Sequence, residues 1–146
     1  MILRYFLLPP MIPFFHVLAA YIGGLATFLV LDGIMISQVI LPLFRKHVGY
    51  LVGDMDIAAA VIFYLAYILI GYFLVVAPAV ASHADWGVVA RNGALFWLGA
   101  YMTYELTSKS FVKGWSYQMV LVDTIWGTIL TMTVCLVMWQ ILVWIK

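Results

Sequence analysis

The sequence predicts an all-α membrane protein: four transmembrane helices in a small bundle with short loops. Three observations carry this. Of 146 residues, 67% are apolar and only 9% are charged, against about a quarter charged in an ordinary soluble domain. The mean hydropathy is +1.14, so polar groups are too few to cover even a small globule and lipid must solvate most of its surface. Finally, a hydrocarbon core of about 30 Å needs about 20 apolar helical residues, and the chain holds four such runs, over about 14–41, 57–81, 88–106 and 119–145.

The first run is preceded by Arg4, Pro9, Pro10 and Pro13. Prolines in that number prevent a straight helix from Met1, and residues 1–12 read as an interfacial lead-in. The apolar run that follows is too long for a secretory signal. Residues 13–146 then form one transmembrane domain. Ala19, Gly23 and Thr27 recur at four-residue spacing on the first run, a pattern that lets helices approach closely. The second run contains Tyr64, Tyr67 and Gly71 on one face, and Pro78 near its end, where a stop or a kink is expected. The third places Tyr101, Tyr104, Glu105 and Ser108 at i, i+3, i+4 and i+7, which is one helical face. The fourth carries Asp123, Trp126 and Gly127 on one face, with Thr131 a turn beyond Gly127 and Cys135 in its apolar middle.

With an even number of spans, both termini and the second loop share one side, face A. The first and third loops share the other, face B. Face B carries Arg45, Lys46, Lys109 and Lys113, and face A Arg4, Arg91 and Lys146. That bias favours loops 44–56 and 107–117 as cytoplasmic. The formal net charge of +1 with scattered cations offers no field for phosphate backbones and excludes nucleic acid as a partner. One cysteine cannot form an internal disulfide.

Ionisable groups inside a span are costly in hydrocarbon and turn toward protein or a wet cavity. Asp32, Glu105 and Asp123 are such groups, and all three fall in the face-B half. Tyr64, Tyr67, Tyr101, Tyr104 and Trp126 lie at the same level. Four helices thus point carboxyls, phenols and an indole toward one height in the bundle, with His47, Lys109 and Lys113 as the rim. One reading is a pocket for a cation, a proton or a lipid headgroup; the other is a structural network in which each acid accepts hydrogen bonds from Tyr or Trp and fixes helix register. The histidines at 16, 47 and 83 are too dispersed for a metal box, so no metal is expected. His16 and His83 both lie toward face A, and an axial haem pair is not favoured. No nucleophile motif or phosphate loop is present.

The segments Leu31-Asp32, Arg45-Lys46-His47-Val48-Gly49, Phe63-Tyr64-Leu65-Ala66-Tyr67, Tyr101-Met102-Thr103-Tyr104-Glu105-Leu106-Thr107, Lys113-Gly114-Trp115 and Asp123-Thr124-Ile125-Trp126-Gly127-Thr128 resemble the family of domain of unknown function 2177. The resemblance runs from about Tyr21 onward, and its most specific part is the last three segments together. The chain departs from the family pattern at Glu105, where Asp is usual, at Ser108 (Asn), Met35 (Trp) and Ser116 (Pro). The resemblance implies a small four-helix integral membrane protein and supplies no established activity. The residues favour a non-enzymatic component that binds membrane lipids, or an accessory part of a larger membrane complex or homo-oligomer, with bound lipid in place of any cofactor. The competing readings are an enzyme or enzyme subunit acting on a membrane lipid with Asp123 and Glu105 as acid and base, and an ion-coupled transporter. At four spans, a transporter would have to oligomerise.

Overall fold

The structure, a computed structural model, describes residues 12–145. The lead-in expected over 1–12 lies, except for Ile12, outside the described residues. Those residues form four helical rods and no strand. Rod α1 runs Phe14–Leu51, α2 Ile57–Ala81, α3 Trp86–Phe111 and α4 Tyr117–Trp144. Three of them, α1, α2 and α4, are long and apolar enough to cross a membrane. The 26 residues of α3 would extend about 39 Å at 1.5 Å per residue, but Arg91, Asn92, Glu105 and Lys109 lower its hydropathy. Its place follows from packing along α4, the most extensive helix contact in the molecule.

Local chemistry sets the rod starts. Asp56, Asp85 and Ser116 each cap the helix that follows, their side chains accepting the backbone N–H of Ala59, Val88 and Met119. Each cap satisfies an amide that has no partner within the helix. Two loop acids are thereby accounted for without any chemical role.

Prolines account for the irregular turns. Pro78, expected to end or kink the second run, lies three residues before its last residue, Ala81, with a π turn at Tyr72–Val76 just before it. Rod α1 likewise carries Pro42 behind a π turn at Ile36–Ile40, and extends about ten residues past the expected end at 41. A proline ring collides with the carbonyl four residues back. For Pro42 and Pro78 that carbonyl belongs to Gln38 and Leu74, the centre of each π segment, where the wider turn moves it aside.

The core is organised around α4, whose buried residues Gly127, Leu130, Thr131, Val134, Cys135, Met138 and Leu142 recur at three- and four-residue intervals as one stripe. Rod α1 meets this stripe with Ala20, Gly24 and Phe28, one residue along from the expected Ala19, Gly23 and Thr27. Of that expected set, Ala19 is exposed, Gly23 lies at the margin against Ile141, and the Thr27 hydroxyl donates to the Gly23 carbonyl of its own helix. A methyl group at Gly24 would stand 2.6 Å from Met138 Cγ, so small residues set this approach. Outward-facing Ile22, Val30, Ile62, Phe73 and Ile125 are exposed, as a lipid-solvated surface requires.

The first and third loops meet at one end. The Tyr50 hydroxyl donates to the Lys113 carbonyl, and a Cβ on Gly114, whose φ is +90°, would sit 2.8 Å from the His47 carbonyl oxygen. A second small core of Val48, Trp115, Met119 and Val120, with Phe44 against it, closes this end of the bundle, face B.

A candidate headgroup site among four helices

Asp32 ties three rods together. Tyr64 on α2 donates its hydroxyl to Asp32 Oδ2 at 3.1 Å, and Trp126 on α4 donates its indole N–H to Oδ1 at 3.3 Å. Below it, the Tyr67 hydroxyl and Thr131 Oγ1 bond at 3.1 Å between α2 and α4. On α3, Glu105 is fully buried and its Oε2 accepts the Trp115 indole N–H at 2.8 Å. The other oxygen, Oε1, is buried and meets no N–H or hydroxyl donor among the described residues. The Asp123 carboxyl on α4 lies against that of Glu105.

These groups surround a cavity of about 280 Å³, open on one side and lined by Phe28, Asp32, Ile36, Ile40, Phe44, Phe63, Tyr64, Trp97, Tyr101, Tyr104 and Asp123. All four rods contribute. The α1 wall is Phe28, Asp32, Ile36, Ile40 and Phe44, spaced every four residues. In a regular α-helix such a stripe would rotate by about 160° over its length. The π turn at Ile36–Ile40 acts as one inserted residue, worth about 100° in the opposite sense, and returns Ile40 and Phe44 to the side of Asp32. The irregularity forced by Pro42 therefore builds the wall.

Aromatic rings hold the remaining sides. Trp97 and Tyr101 stack in parallel with centroids 3.5 Å apart, Tyr101 meets Tyr104 edge-on, and Phe28 meets Tyr64 likewise. Trp97 fits because residue 127 is glycine: a Cβ there would stand 1.7 Å from the indole Cε2 and Cζ2. Trp115 covers the face-B end, edge-on to Phe44 and Tyr104.

The sequence-selected residues thus fall into three sets. Asp32, Tyr64, Tyr101, Tyr104 and Asp123 line the cavity. Trp126 reaches Asp32 from α4, Tyr67 is buried on Thr131, and Glu105 is enclosed beside Asp123. His47, Lys109 and Lys113 do not line it: the His47 backbone abuts Gly114, Lys109 lies over the Tyr117 ring at 4.9 Å, and Lys113 is exposed. Among the described residues no lysine or arginine lines the cavity. Trp97, Phe28, Phe63 and the isoleucines of α1 were not singled out from sequence. For Trp97 a signal existed, since it precedes Tyr101 and Tyr104 by four and seven residues on the same face. Among the described residues no group of three or more His, Cys, Asp or Glu could hold a metal ion. His83 is exposed beyond α2 with φ 54°, and His16 lies in the first turn of α1 with Nδ1 buried and without a partner among the described residues.

Chemically, this site sets carboxyl acceptors and phenols among aliphatic and aromatic side chains in one space. Residues 17–140 match the model of a family described as predicted membrane protein (DUF2177). No curated protein and no solved structure matches the chain.

Proposed function

Because the chain belongs to the DUF2177 family of predicted membrane proteins, we propose that it works inside the bilayer as a non-enzymatic lipid-binding component, seating a lipid headgroup in the cavity between its four helices. The observation that carries this reading is the mixed lining: Asp32, Asp123 and three tyrosines share one space with Phe28, Ile36, Ile40, Phe44 and Phe63. Depth supports it as well. The 28 residues of α4 extend about 42 Å, close to the 40–45 Å of a whole bilayer. Asp123 stands six residues from the start of α4, about 9 Å in, just beneath the headgroup layer on that side.

The test is purification of the full chain in mild detergent, with quantification of the lipids that remain bound. One lipid class should be retained well above its share of the source membrane. The double variant Ile36→Trp/Ile40→Trp, which fills the cavity from its apolar wall, should lose that lipid while keeping its helical content. Equal, unselective lipid in both proteins would refute the reading. The adjacency of Asp123 and Glu105 favours a second reading, acid–base chemistry on the bound lipid; it requires the retained lipid to change chemically on incubation. An accessory role in a larger complex draws on the short connections between the rods and is read by what co-purifies. The cation bias keeps face B as the cytoplasmic side, which reagent access to a cysteine introduced at Ser110 reports.

A further inference from the structure

Resting on the headgroup reading, we infer that the bound lipid enters sideways from the face-B leaflet and keeps an acyl chain in a slot between α2 and α3, which makes the ligand an acylated membrane lipid and not a water-soluble molecule. Three sides of the cavity are closed. Tyr64 on Asp32 and the Tyr21 hydroxyl on the Leu65 carbonyl hold α1 to α2. Trp126 on Asp32 holds α1 to α4, and α3 lies along α4 in the most extensive helix contact of the molecule. The end toward water is closed as well: Trp115 is 6% exposed and packs edge-on against Phe44 and Tyr104, with Val48 and Met119 buried beside it.

The side between α2 and α3 is different. These rods meet closely at Tyr72–Val76, and the Tyr67 ring stacks on Phe96 at 4.9 Å and stands edge-on to Trp97 at 5.8 Å. From Tyr67 toward face B, no hydrogen bond or ring pair joins the two rods among the described residues. Phe63 and Ala60 continue the Tyr67 face of α2, four and seven residues back, and Ala100 and Thr103 continue the Phe96 face of α3 at the same spacing. Antiparallel rods set Ala100 opposite Phe63 and Thr103 opposite Ala60. Exposure follows the gap: Ile57, Ala58, Ala59, Val61 and Ile62 are exposed on α2, as are Gly99, Ala100, Thr103 and Tyr104 on α3, and a Cβ on Gly99 would meet nothing within 4 Å. The slot runs into the cavity, whose lining includes Phe63, Tyr64, Tyr101 and Tyr104. Its depth suits a lipid tail. Ile57 to Tyr67 is ten residues of helix, about 15 Å, half of a hydrocarbon core of about 30 Å. The slot is therefore one leaflet deep, with Tyr67 on Phe96 as its floor. A headgroup in the cavity leaves its chain there among the other acyl tails, whereas entry from water would have to displace Trp115.

Cross-linking and slot-filling variants of the full chain test this. A benzophenone side chain at position 100, activated in the intact membrane, should capture the lipid class that co-purifies with the protein, attached through its acyl chain. One at position 95, exposed on another face of α3, should capture the bulk mixture. The double variant Ala60→Trp/Ala100→Trp fills the slot from both walls without altering the cavity lining, and its retained lipid should fall to the level of Ile36→Trp/Ile40→Trp at unchanged helical content. Ile62→Trp, on the exposed side of the same stretch of α2, should keep the lipid. The bulk mixture at both 95 and 100, no lipid adduct at 100, or equal retention in Ala60→Trp/Ala100→Trp and Ile62→Trp overturns the inference. If any of these happens while Ile36→Trp/Ile40→Trp still expels the retained lipid, the headgroup reading survives and only the lateral seat fails. If that variant keeps the lipid too, the headgroup reading falls with it.

Discussion

Replacing Gly127 by alanine probes the site at the point where its architecture is tightest. The added Cβ would stand 1.7 Å from two carbons of the Trp97 indole and 2.4 Å from its nitrogen. Ordinary carbon contacts lie at about 3.5–4.0 Å, so the ring must retreat by about 2 Å, carrying with it the Tyr101 ring stacked at 3.5 Å. Overpacking of this kind costs about 1–3 kcal/mol, whereas alanine in a helix interior gains up to about 1 kcal/mol over glycine. The net expectation is a loss of about 1–2 kcal/mol. Gly99→Ala is the matched control: it lies within α3 with nothing inside 4 Å of the added carbon, so it should be neutral or gain up to about 1 kcal/mol. Reversible unfolding in mixed detergent micelles measures both, and Gly127→Ala should also retain less lipid. Equal stability of the two variants, with unchanged tryptophan fluorescence, would refute the assigned Trp97–Gly127 contact and the cavity wall it forms.

Three further outcomes are expected. Tyr64→Phe should destabilise by about 1 kcal/mol in the same unfolding assay, because Asp32 Oδ2 loses its donor. Trp115→Phe should cost more, about 1–3 kcal/mol, since it removes the N–H donor to Oε2 of the fully buried Glu105, whose Oε1 meets no N–H or hydroxyl donor among the described residues. Gly114→Ala should loosen the join between the first and third loops, combining a φ of +90° with a contact of 2.8 Å to the His47 carbonyl. Its cost should be at least about 1 kcal/mol, visible as faster proteolysis at face B.

Much of the fold was legible because lipid leaves a coarse signature. Runs of about 20 apolar residues locate rods, and the caps Asp56, Asp85 and Ser116 mark where they begin. The polar layer was legible for a related reason: Asp32, Glu105 and Asp123 are so costly in hydrocarbon that their presence alone points inward. What escaped was rotation about the helix axes. The contact stripe Ala20–Gly24–Phe28 lies one residue from the one expected, because adjacent glycines at 23 and 24 permit either register and only the fit against Met138 decides. The α1 wall could not be read from regular periodicity, since the π turn before Pro42 re-phases the helix midway. The surroundings of the expected rim were also hidden from sequence. His47, Lys109 and Lys113 share the end at which Trp115 packs edge-on against Phe44, a tertiary contact that no local spacing announces.

The central requirement is a headgroup in the space beside Ile36. Photo-cross-linking with a benzophenone side chain at position 36, compared with one at lipid-exposed position 22, asks this in the intact membrane. One lipid class strongly enriched in the adducts at 36, set against the bulk mixture at 22, is the predicted result. The same mixture at both positions, or no lipid adduct at 36, would contradict it.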